Sequence, residues 1–175
     1  MRYRDLNGPE FRALYNEVFP IVYRIAFRVT EDVLVSEELC HEAFVRYVER
    51  DGSFPDANQA KYWLIRVTKN LALNYQKRRG RERRAYQRAY FEPSHPSESG
   101  ETAVLKGEAS ALVRAAVEKL PDKLKSVLVL KEYGELSYRD IAETLGITEA
   151  NVKVRVFRAR ERLTTLLKES DVYVP

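Results

Sequence analysis

The stretch SYRDIAETLGITEANVKVRVFRARERL, residues 137–163, decides the fold of this 175-residue chain. Ser137 and Thr148 each precede an amphipathic helical pattern, which is the position that helix N-caps favour. Gly146 lies between the two patterns, where the chain needs a tight turn. A short capped helix, a glycine turn and a longer basic helix are the layout of a helix-turn-helix. We therefore predict one helix ending at Leu145 and a second one running to about residue 168.

Helical spacing divides the last helix into two faces. At about 100° per residue, one line of the helix carries side chains predicted to be buried, namely Val152, Val156, Ala159 and Leu163. The opposite face carries Val154, Phe157, Arg158 and Glu161, flanked by Lys153, Arg155, Arg160 and Arg162. Such a face fits a DNA major groove, because cations reach phosphates and central side chains reach base edges. An exposed Phe157 is expected to contact a thymine methyl or a sugar; alternatively, it packs on the neighbouring domain.

Charge is strongly segregated along the chain, although the net charge is only +4. Residues 61–90 contain ten basic residues and a single acidic one, Glu82. Residues 1–60 and 91–152 are net negative, and residues 153–175 are again basic. Two basic patches separated by an acidic stretch predict two contacts with one polyanion, most simply a nucleic acid. The alternative is that both patches are solvated helix faces.

Three further helices are predicted in the N-terminal half. Apolar residues recur every three or four positions over residues 9–30, 33–50 and 58–79. Pro20 lies inside the first pattern, so we expect either a kink near residues 16–19 or two shorter helices. The second helix presents a mainly acidic outward face.

The predicted fold class is all-α, with two small helical domains joined by a flexible linker, the C-terminal domain containing the helix-turn-helix. Residues 92–100, EPSHPSESG, have too few apolar side chains to build a core. We place the N-terminal domain at residues 1–85, the linker at 86–103 and the C-terminal domain at 104–175. Within the C-terminal domain, the helical pattern breaks near Pro121 and ends again at Gly134.

Composition excludes several classes of protein. Cys40 is the single cysteine, so the chain cannot form an internal disulfide, and with only His41 and His95 it cannot assemble a four-ligand zinc site. Cys40 and His41 point about 100° apart on a helix and do not form a nucleophile and base pair. The N-terminus lacks the apolar core of a signal peptide, and there is no long apolar run, so no membrane insertion is expected. No catalytic residue, metal or cofactor is expected.

Three stretches resemble the extracytoplasmic-function (ECF) sigma factors of bacterial RNA polymerase, group IV of the sigma-70 family. Residues 36–48, SEELCHEAFVRYV, are similar to the family's polymerase-binding helix, and residues 62–79, YWLIRVTKNLALNYQKRR, to its promoter-melting helix. Residues 120–163 resemble its terminal helix-turn-helix domain. The resemblance implies a promoter-specificity subunit that binds core RNA polymerase through its beta-prime and beta subunits and assists strand opening at the promoters of a specific regulon. It also implies promoter DNA and an anti-sigma factor as partners, in the bacterial cytoplasm.

The resemblance also implies three sets of contact residues. Those for core polymerase are Glu37, Glu38, Glu42 and Arg46. Those for the minus-ten element are Asn58, Lys61, Arg66, Lys69, Asn70, Asn74, Lys77 and Arg78. Those for the minus-thirty-five element are Lys153, Val154, Arg155, Phe157, Arg158 and Arg160.

Further expectations concern the loop before the third helix and the departures from the family. The loop at about residues 51–58 is expected to capture a flipped base, with Tyr62 or Trp63 available for stacking. Trp63 falls on the apolar stripe and is better explained as a core residue. Val154 stands where family members often carry serine, and Pro20 and the apolar residues 33–35 also depart from the pattern. Either of the last two could mark a partner surface.

A different function remains open from the residues alone. The chain could be a stand-alone helix-turn-helix regulator, in which residues 1–85 sense a signal or dimerise. Such a regulator binds its operator without polymerase, whereas a sigma factor of this type binds promoter DNA tightly only with core enzyme.

Overall fold

The computed structural model describes residues 8–50, 52–90 and 111–169, and throughout those residues the regular structure is helical. In the N-terminal half, α1 spans Pro9–Thr30, α2 spans Val33–Glu49 and α3 spans Ala57–Tyr90. In the C-terminal half, α4 covers residues 111–118 and α5 spans Asp122–Leu128 before continuing as a π-helical turn, Val129–Tyr133. Helix α6 spans Tyr138–Leu145 and α7 spans Glu149–Lys168. The all-α prediction is confirmed.

The corner between α1 and α2 is built by local hydrogen bonds. Glu31 ends α1 in the left-handed conformation, with φ of 56°, and its N–H donates to the carbonyl of Phe27 at 2.8 Å. Asp32 then caps α2, because its carboxylate accepts from the N–H of Val35 at 3.1 Å. The buried hydroxyls of Thr30 and Ser36 lie 2.8 Å apart and join the two helices.

Helix α1 is one helix, so the prediction of two shorter helices is wrong. Pro20 lies within Pro9–Thr30 without interrupting it. A proline at this position removes the hydrogen bond to the carbonyl of Asn16. Pro20 and Asn16 are both exposed, so water can satisfy that carbonyl.

Helix α3 is longer than the sequence indicates. The apolar pattern predicts an end near residue 79, yet the helix runs to Tyr90. Residues 86–90, which the sequence predicts as linker, are therefore helical, and the rest of the predicted linker, residues 91–103, lies outside the described residues. The extra turns are exposed and rich in arginine, and Arg78 pairs with Glu82 one turn later at 3.8 Å.

The helix-turn-helix forms as its local sequence predicts. The hydroxyl of Ser137 accepts from the N–H of Asp140 at 3.1 Å, and that of Thr148 accepts from the N–H of Asn151 at 3.2 Å. Gly146 closes α6 with φ of 65°, a conformation that glycine adopts at no steric cost.

The main hydrophobic core joins both halves of the chain. Val22 and Ile25 of α1 and Leu64 of α3 belong to the same buried cluster as Leu130 of the π-helical turn and Ile141 of α6. A smaller cluster, formed by Val117, Leu120, Leu128 and Ala159, packs α4 and α5 against α7. The N-terminal helices and the helix-turn-helix are thus packed together, which places α3 directly beside α5 and α6.

Candidate nucleic-acid and polymerase interfaces

Helix α7 buries one face and exposes the other. Val152, Val156 and Ala159 are buried, as predicted, and Leu163 is half-buried against the smaller cluster. On the opposite face, Phe157 is 62% exposed and Val154 is 47% exposed. Phe157 therefore does not pack on the neighbouring domain, and a large apolar ring is held in solvent on the outer face of the recognition helix.

The charged residues predicted to contact the minus-thirty-five element lie on the same helix, but they differ in their surroundings. Lys153 pairs with Glu149 at 3.2 Å, and Arg155 donates to the side-chain oxygen of Asn151 at 2.8 Å. Both pairs join residues one turn apart at an exposed surface, where such contacts are weak and easily exchanged for phosphate. Lys153, Arg158 and Arg160 are exposed and Arg155 is half-buried.

Arg160 is held by its own domain. Its guanidinium donates to Glu132 of the π-helical turn at 2.7 Å, and that hydrogen bond is the main cause that raises the pKa of Arg160. Helical spacing places Arg160 on the flank of the predicted DNA-facing surface. The structure shows that Arg160 also has a partner within the chain, Glu132, which lies 28 residues earlier.

The residues predicted for the minus-ten element all lie on α3, and most of them are exposed. Asn58, Arg66, Asn70, Asn74, Lys77 and Arg78 are exposed, Lys61 is half-buried, and Lys69 is only 5% exposed. The helix continues this basic surface with residues that the site prediction left out, namely Arg79, Arg81, Arg83, Arg84 and Arg88. Their basic character was visible in the sequence, but their helical alignment with the predicted residues was not.

Two of the predicted cations are engaged within the chain. The ammonium of Lys61 donates to Glu17 of α1 at 2.7 Å. The ammonium of Lys69 donates to the hydroxyl of Ser126 of α5 at 3.1 Å. Burial lowers the pKa of Lys69 to about 8, and the nearby Arg66 adds to this effect.

Tyr62 is turned toward the helix-turn-helix. Its hydroxyl donates to the carboxylate of Asp140 of α6 at 2.9 Å. Burial and this hydrogen bond together raise the pKa of Tyr62. Burial disfavours ionisation of Asp140, but the hydrogen bonds from Ser137 and Tyr62 outweigh it and lower the pKa of that carboxyl. In this arrangement the Tyr62 side chain bonds α6 instead of standing ready for a base.

The loop before α3 is held by three aromatic side chains, of which Phe54 and Tyr47 are not among the residues that the sequence predicts for the site. The rings of Phe54 and Tyr47 are nearly parallel, with centroids 5.7 Å apart, and Trp63 lies 5.8 Å from Phe54. The guanidinium of Arg50 sits 4.3 Å above the Phe54 ring, within range for a cation–π contact. Trp63 packs against the main core, as its position on the apolar stripe predicts.

The outward face of α2 carries the residues predicted to contact polymerase. Glu37, Glu38, Glu42 and Arg46 are exposed, and Arg46 pairs with Glu42 at 2.5 Å. One turn before them, Val33 is 50% exposed and Leu34 is 71% exposed. The face therefore begins with two exposed apolar side chains and continues as an acidic surface.

Cys40 is buried, and burial, together with the charge of Glu37, raises its pKa to about 12. Among the described residues no three His, Cys, Asp or Glu side chains are grouped to hold a metal ion. None of the helices described here has both the length and the apolar character needed to cross a membrane.

The comparisons with known proteins agree with this geometry. Residues 14–82 match the family Sigma-70 region 2, and residues 110–163 match Sigma-70, region 4. The RNA polymerase sigma-H factor of Pseudomonas aeruginosa is 32% identical over 149 residues, covering 81% of this chain and 77% of that protein. The ECF RNA polymerase sigma factor SigW of Bacillus subtilis is 30% identical over 162 residues, covering 85% and 83%.

Solved structures share the fold. CnrH in complex with the cytosolic domain of CnrY matches with a TM-score of 0.61 at 20% identity, over 91% of this chain and 88% of that one. The sigma factor RpoE in complex with the anti-sigma factor NepR, from Bartonella quintana, matches with a TM-score of 0.52 at 23% identity, over 92% and 98%.

The region 2 match falls on the N-terminal helices, and the region 4 match falls on the half that contains the helix-turn-helix. Together the two matches define a sigma-70-type transcription factor. Within that class, the chain belongs to the extracytoplasmic-function sigma factors, promoter-recognising subunits of bacterial RNA polymerase. The family consists of transcription regulators and acts on RNA polymerase in the cell interior.

Proposed function

We propose that this sigma factor contacts its promoter at two places, through α3 and α7, while α2 holds core RNA polymerase. The observation that carries the proposal is the presence, in one chain, of a basic helix face, an exposed recognition face and an exposed acidic face, each on a different helix. Binding and strand separation are then the whole of its mechanism. The proposal includes no catalytic residue and no cofactor, and it places the protein in the bacterial cytoplasm.

The polymerase contact is assigned to the exposed face of α2. Glu37, Glu38 and Glu42 supply negative charge, which suits a basic surface on the beta-prime subunit, with the beta subunit as a second contact. Val33 and Leu34 extend this face by one turn with apolar area. Exposed apolar side chains next to charged ones are usual in the interfaces of protein complexes.

The minus-ten contact is assigned to α3. Its exposed cations neutralise phosphates, and the amides of Asn70 and Asn74 can hydrogen-bond base edges. The loop held by Phe54 is the proposed site for a base flipped out of the non-template strand.

The minus-thirty-five contact is assigned to α7. Lys153 and Arg155 lie in its first two turns, and the N-terminal part of a recognition helix is the part that enters the major groove. Phe157 and Val154 offer apolar contact to thymine methyl groups. Replacing Arg155 and Arg158 by Ala is expected to weaken promoter use, each lost base contact costing about 1–3 kcal/mol.

Transcription from a pool of genomic promoter fragments tests this function. Core bacterial RNA polymerase is used with and without the protein, and the transcripts are sequenced. Transcripts that require the protein and share two upstream elements support the proposal. Binding of operator DNA by the protein alone, with no initiation gained by core enzyme, would instead favour a stand-alone helix-turn-helix regulator.

We also propose that an anti-sigma protein regulates the chain. Two solved structures with the same fold are complexes of this kind, RpoE with NepR and CnrH with the cytosolic domain of CnrY. Purification of the tagged chain from its native cell under resting conditions is expected to recover a bound inhibitor. Recovery of the chain free of any inhibitor would contradict this part of the proposal.

A further inference from the structure

The last turns of α3 are a basic helix that is exposed on every side. Residues 81–89 are all exposed, and they make about two and a half turns. Glu82 is the single acid among them and pairs with Arg78 at 3.8 Å. A helix without a buried face gains little stability from packing, and like charges one turn apart, as at Arg84 and Arg88, weaken it further. Binding of a polyanion would offset this repulsion.

Three arginines of this segment continue the line of residues assigned to the minus-ten element. At about 100° per residue, one line along α3, about 40° wide on either side, carries Arg66, Asn70, Asn74 and Lys77. The same step brings Arg81, Arg84 and Arg88 onto that line. Arg79 and Arg83 lie about 140–180° away from it. We call the three aligned arginines the arginine line.

Most of the arginine line lies beyond the part of α3 that matches the family. The match to Sigma-70 region 2 ends at residue 82, whereas α3 runs to Tyr90. Arg84 and Arg88 are therefore outside the matched region. At 1.5 Å per residue, residues 83–90 extend the helix by roughly 12 Å, which is the length of about three to four base pairs of duplex DNA.

The side chains of Arg84 and Arg88 are partly ordered along the helix. The Nε of Arg88 donates to the carbonyl of Arg84 at 3.2 Å. The guanidinium of Arg84 lies beside Gly80, where a Cβ atom would be 3.6 Å from its Nη1. A guanidinium has five N–H groups, so Arg88 can keep its backbone bond and still bind a phosphate through its outer edge.

We propose that the end of α3 is a third DNA contact, in which the arginine line binds phosphates of the double-stranded spacer between the two promoter elements. This inference rests on the proposed roles of α3 and α7. A ligand held on the minus-ten surface meets the arginine line along the same side of one continuous helix. The chain leads from this end of α3 to the half assigned to the minus-thirty-five element, so the arginine line lies on the upstream side. Contacts of this kind position the protein and read no sequence.

Binding of holoenzyme to its promoter across a range of salt tests the spacer contact. The promoter is one recovered by the transcription assay, and filter binding gives the affinity. Arg84→Gln with Arg88→Gln is expected to make the slope of log affinity against log salt less steep by about 1.8, because each phosphate contact on duplex DNA contributes about 0.9. Arg79→Gln with Arg83→Gln removes the same charge from an equally spaced pair on the other side of the helix. That pair is expected to change the slope by less than about 0.5.

Uncharged DNA linkages identify the part of the promoter that the arginine line contacts. Methylphosphonate linkages replace the phosphates of the duplex directly upstream of the minus-ten element, or an equal number downstream of it. The upstream replacement is expected to weaken binding of native holoenzyme, and to weaken binding of the Arg84→Gln, Arg88→Gln holoenzyme less, because both changes remove the same contact. An equal loss for the two holoenzymes would overturn the spacer contact, as would an unequal loss on the downstream fragment alone.

A charge-preserving variant separates phosphate binding from other roles of the two side chains. Arg84→Lys with Arg88→Lys keeps both positive charges and is expected to keep the native slope, since a lysine binds phosphate as a point charge. Circular dichroism verifies that each variant is folded. A lysine pair with the same slope as the glutamine pair would contradict a contact made through charge.

The outcomes separate the spacer contact from the function on which it rests. If Arg84→Gln with Arg88→Gln keeps the native slope and initiates normally, the spacer contact is wrong and the sigma function stands. Equal slopes for the two glutamine pairs also overturn it, because the side of the helix would then be irrelevant. If the native chain does not support initiation, the free full-length chain is measured on a random-sequence DNA duplex. A less steep slope there for Arg84→Gln with Arg88→Gln alone would support the arginine line as a duplex contact in a protein of another function.

Discussion

At the residue scale, the buried ammonium of Lys69 makes stability depend on alkaline pH. Burial and Arg66 lower its pKa from 10.5 to about 8, and Asp122 opposes them. Between those two values the folded chain has released this proton and the unfolded chain still holds it. The free energy of unfolding contributed by this group therefore rises with pH over that window, and below it the full cost of burying the charge is present.

Replacing Lys69 by Met isolates this contribution. Lys69→Met is expected to unfold at a higher urea concentration than the native chain at pH 7, with a difference that shrinks as the pH rises from about 8 to 10. Urea unfolding across this range measures it, and the comparison subtracts the groups common to both proteins, including Lys125, whose pKa is also lowered by burial. Lys168→Met, at an exposed position in the last turn of α7, is the control, and an equal pH-dependent difference there would contradict the assignment.

Substitutions of Phe157 and of its neighbour Val156 are expected to have different effects, the first on promoter recognition and the second on stability. Phe157 is 62% exposed, so Phe157→Ala is expected to change stability by less than about 0.5 kcal/mol while reducing transcription from the cognate promoter. Val156 is 2% exposed, and Val156→Ala is expected to cost roughly 1–3 kcal/mol through the cavity it leaves. Chemical unfolding and transcription assays on both variants provide the check. Full promoter use by folded Phe157→Ala would remove this ring from the recognition surface.

At the scale of elements, the N-cap of α7 fixes where the recognition helix begins. Thr148→Ala removes the acceptor for the N–H of Asn151 and is expected to destabilise the chain by about 1 kcal/mol, with fraying that reaches Lys153. Thr164→Ala is the matched control, since that hydroxyl donates to the carbonyl of Arg160 within the helix and caps nothing. Urea unfolding and amide hydrogen exchange in α7 test the prediction. Equal protection of the first turn in both variants would contradict the capping role.

Elements with local signals were predictable, and those decided by distant contacts were not. The bounds of the helix-turn-helix follow from the sequence, because its N-caps and its turn are residue types that favour those positions. These residues are Ser137, Gly146 and Thr148. The last turns of α3 have no apolar stripe to indicate a helix, because their arginines face solvent. The ion pair between Arg78 and Glu82 supports the helix at the start of this segment. The end of α3 predicted from the sequence, near residue 79, is therefore about eleven residues before its end in the structure at Tyr90.

The candidate site shows the same division. The spacing of α7 predicted the outer position of Phe157, because helical periodicity is a local property. The engagement of Lys69 and Tyr62 was missed, since their partners Ser126 and Asp140 lie 57 and 78 residues away. Nothing in a local pattern encodes which surface α5 and α6 will cover.

At the scale of the whole molecule, the question is whether α3 and α7 contact one promoter at the same time. Each phosphate neutralised releases counterions, so the logarithm of affinity falls with the logarithm of salt concentration by about 0.9 per contact on duplex and about 0.7 on single strands. Simultaneous contact makes the two contributions to this slope add, whereas alternating contact does not. The salt dependence of holoenzyme binding to its promoter therefore reports how many phosphates α3 and α7 contact at the same time.

Paired substitutions on each helix test this addition. Lys153→Gln with Arg162→Gln, exposed on the flanks of α7, and Lys77→Gln with Arg78→Gln on α3, are each expected to make the slope less steep by about 1.4–1.8. The fourfold variant is expected to lose about twice as much, because the helices hold separate parts of one promoter and act independently. Arg12→Gln, exposed on α1, should leave the slope unchanged. Filter binding of holoenzyme between 50 and 300 mM salt, roughly the range in which such slopes are linear, provides the measurement. A fourfold variant no different from either double variant would mean that only one helix touches DNA at a time, and the two-contact mechanism would fail.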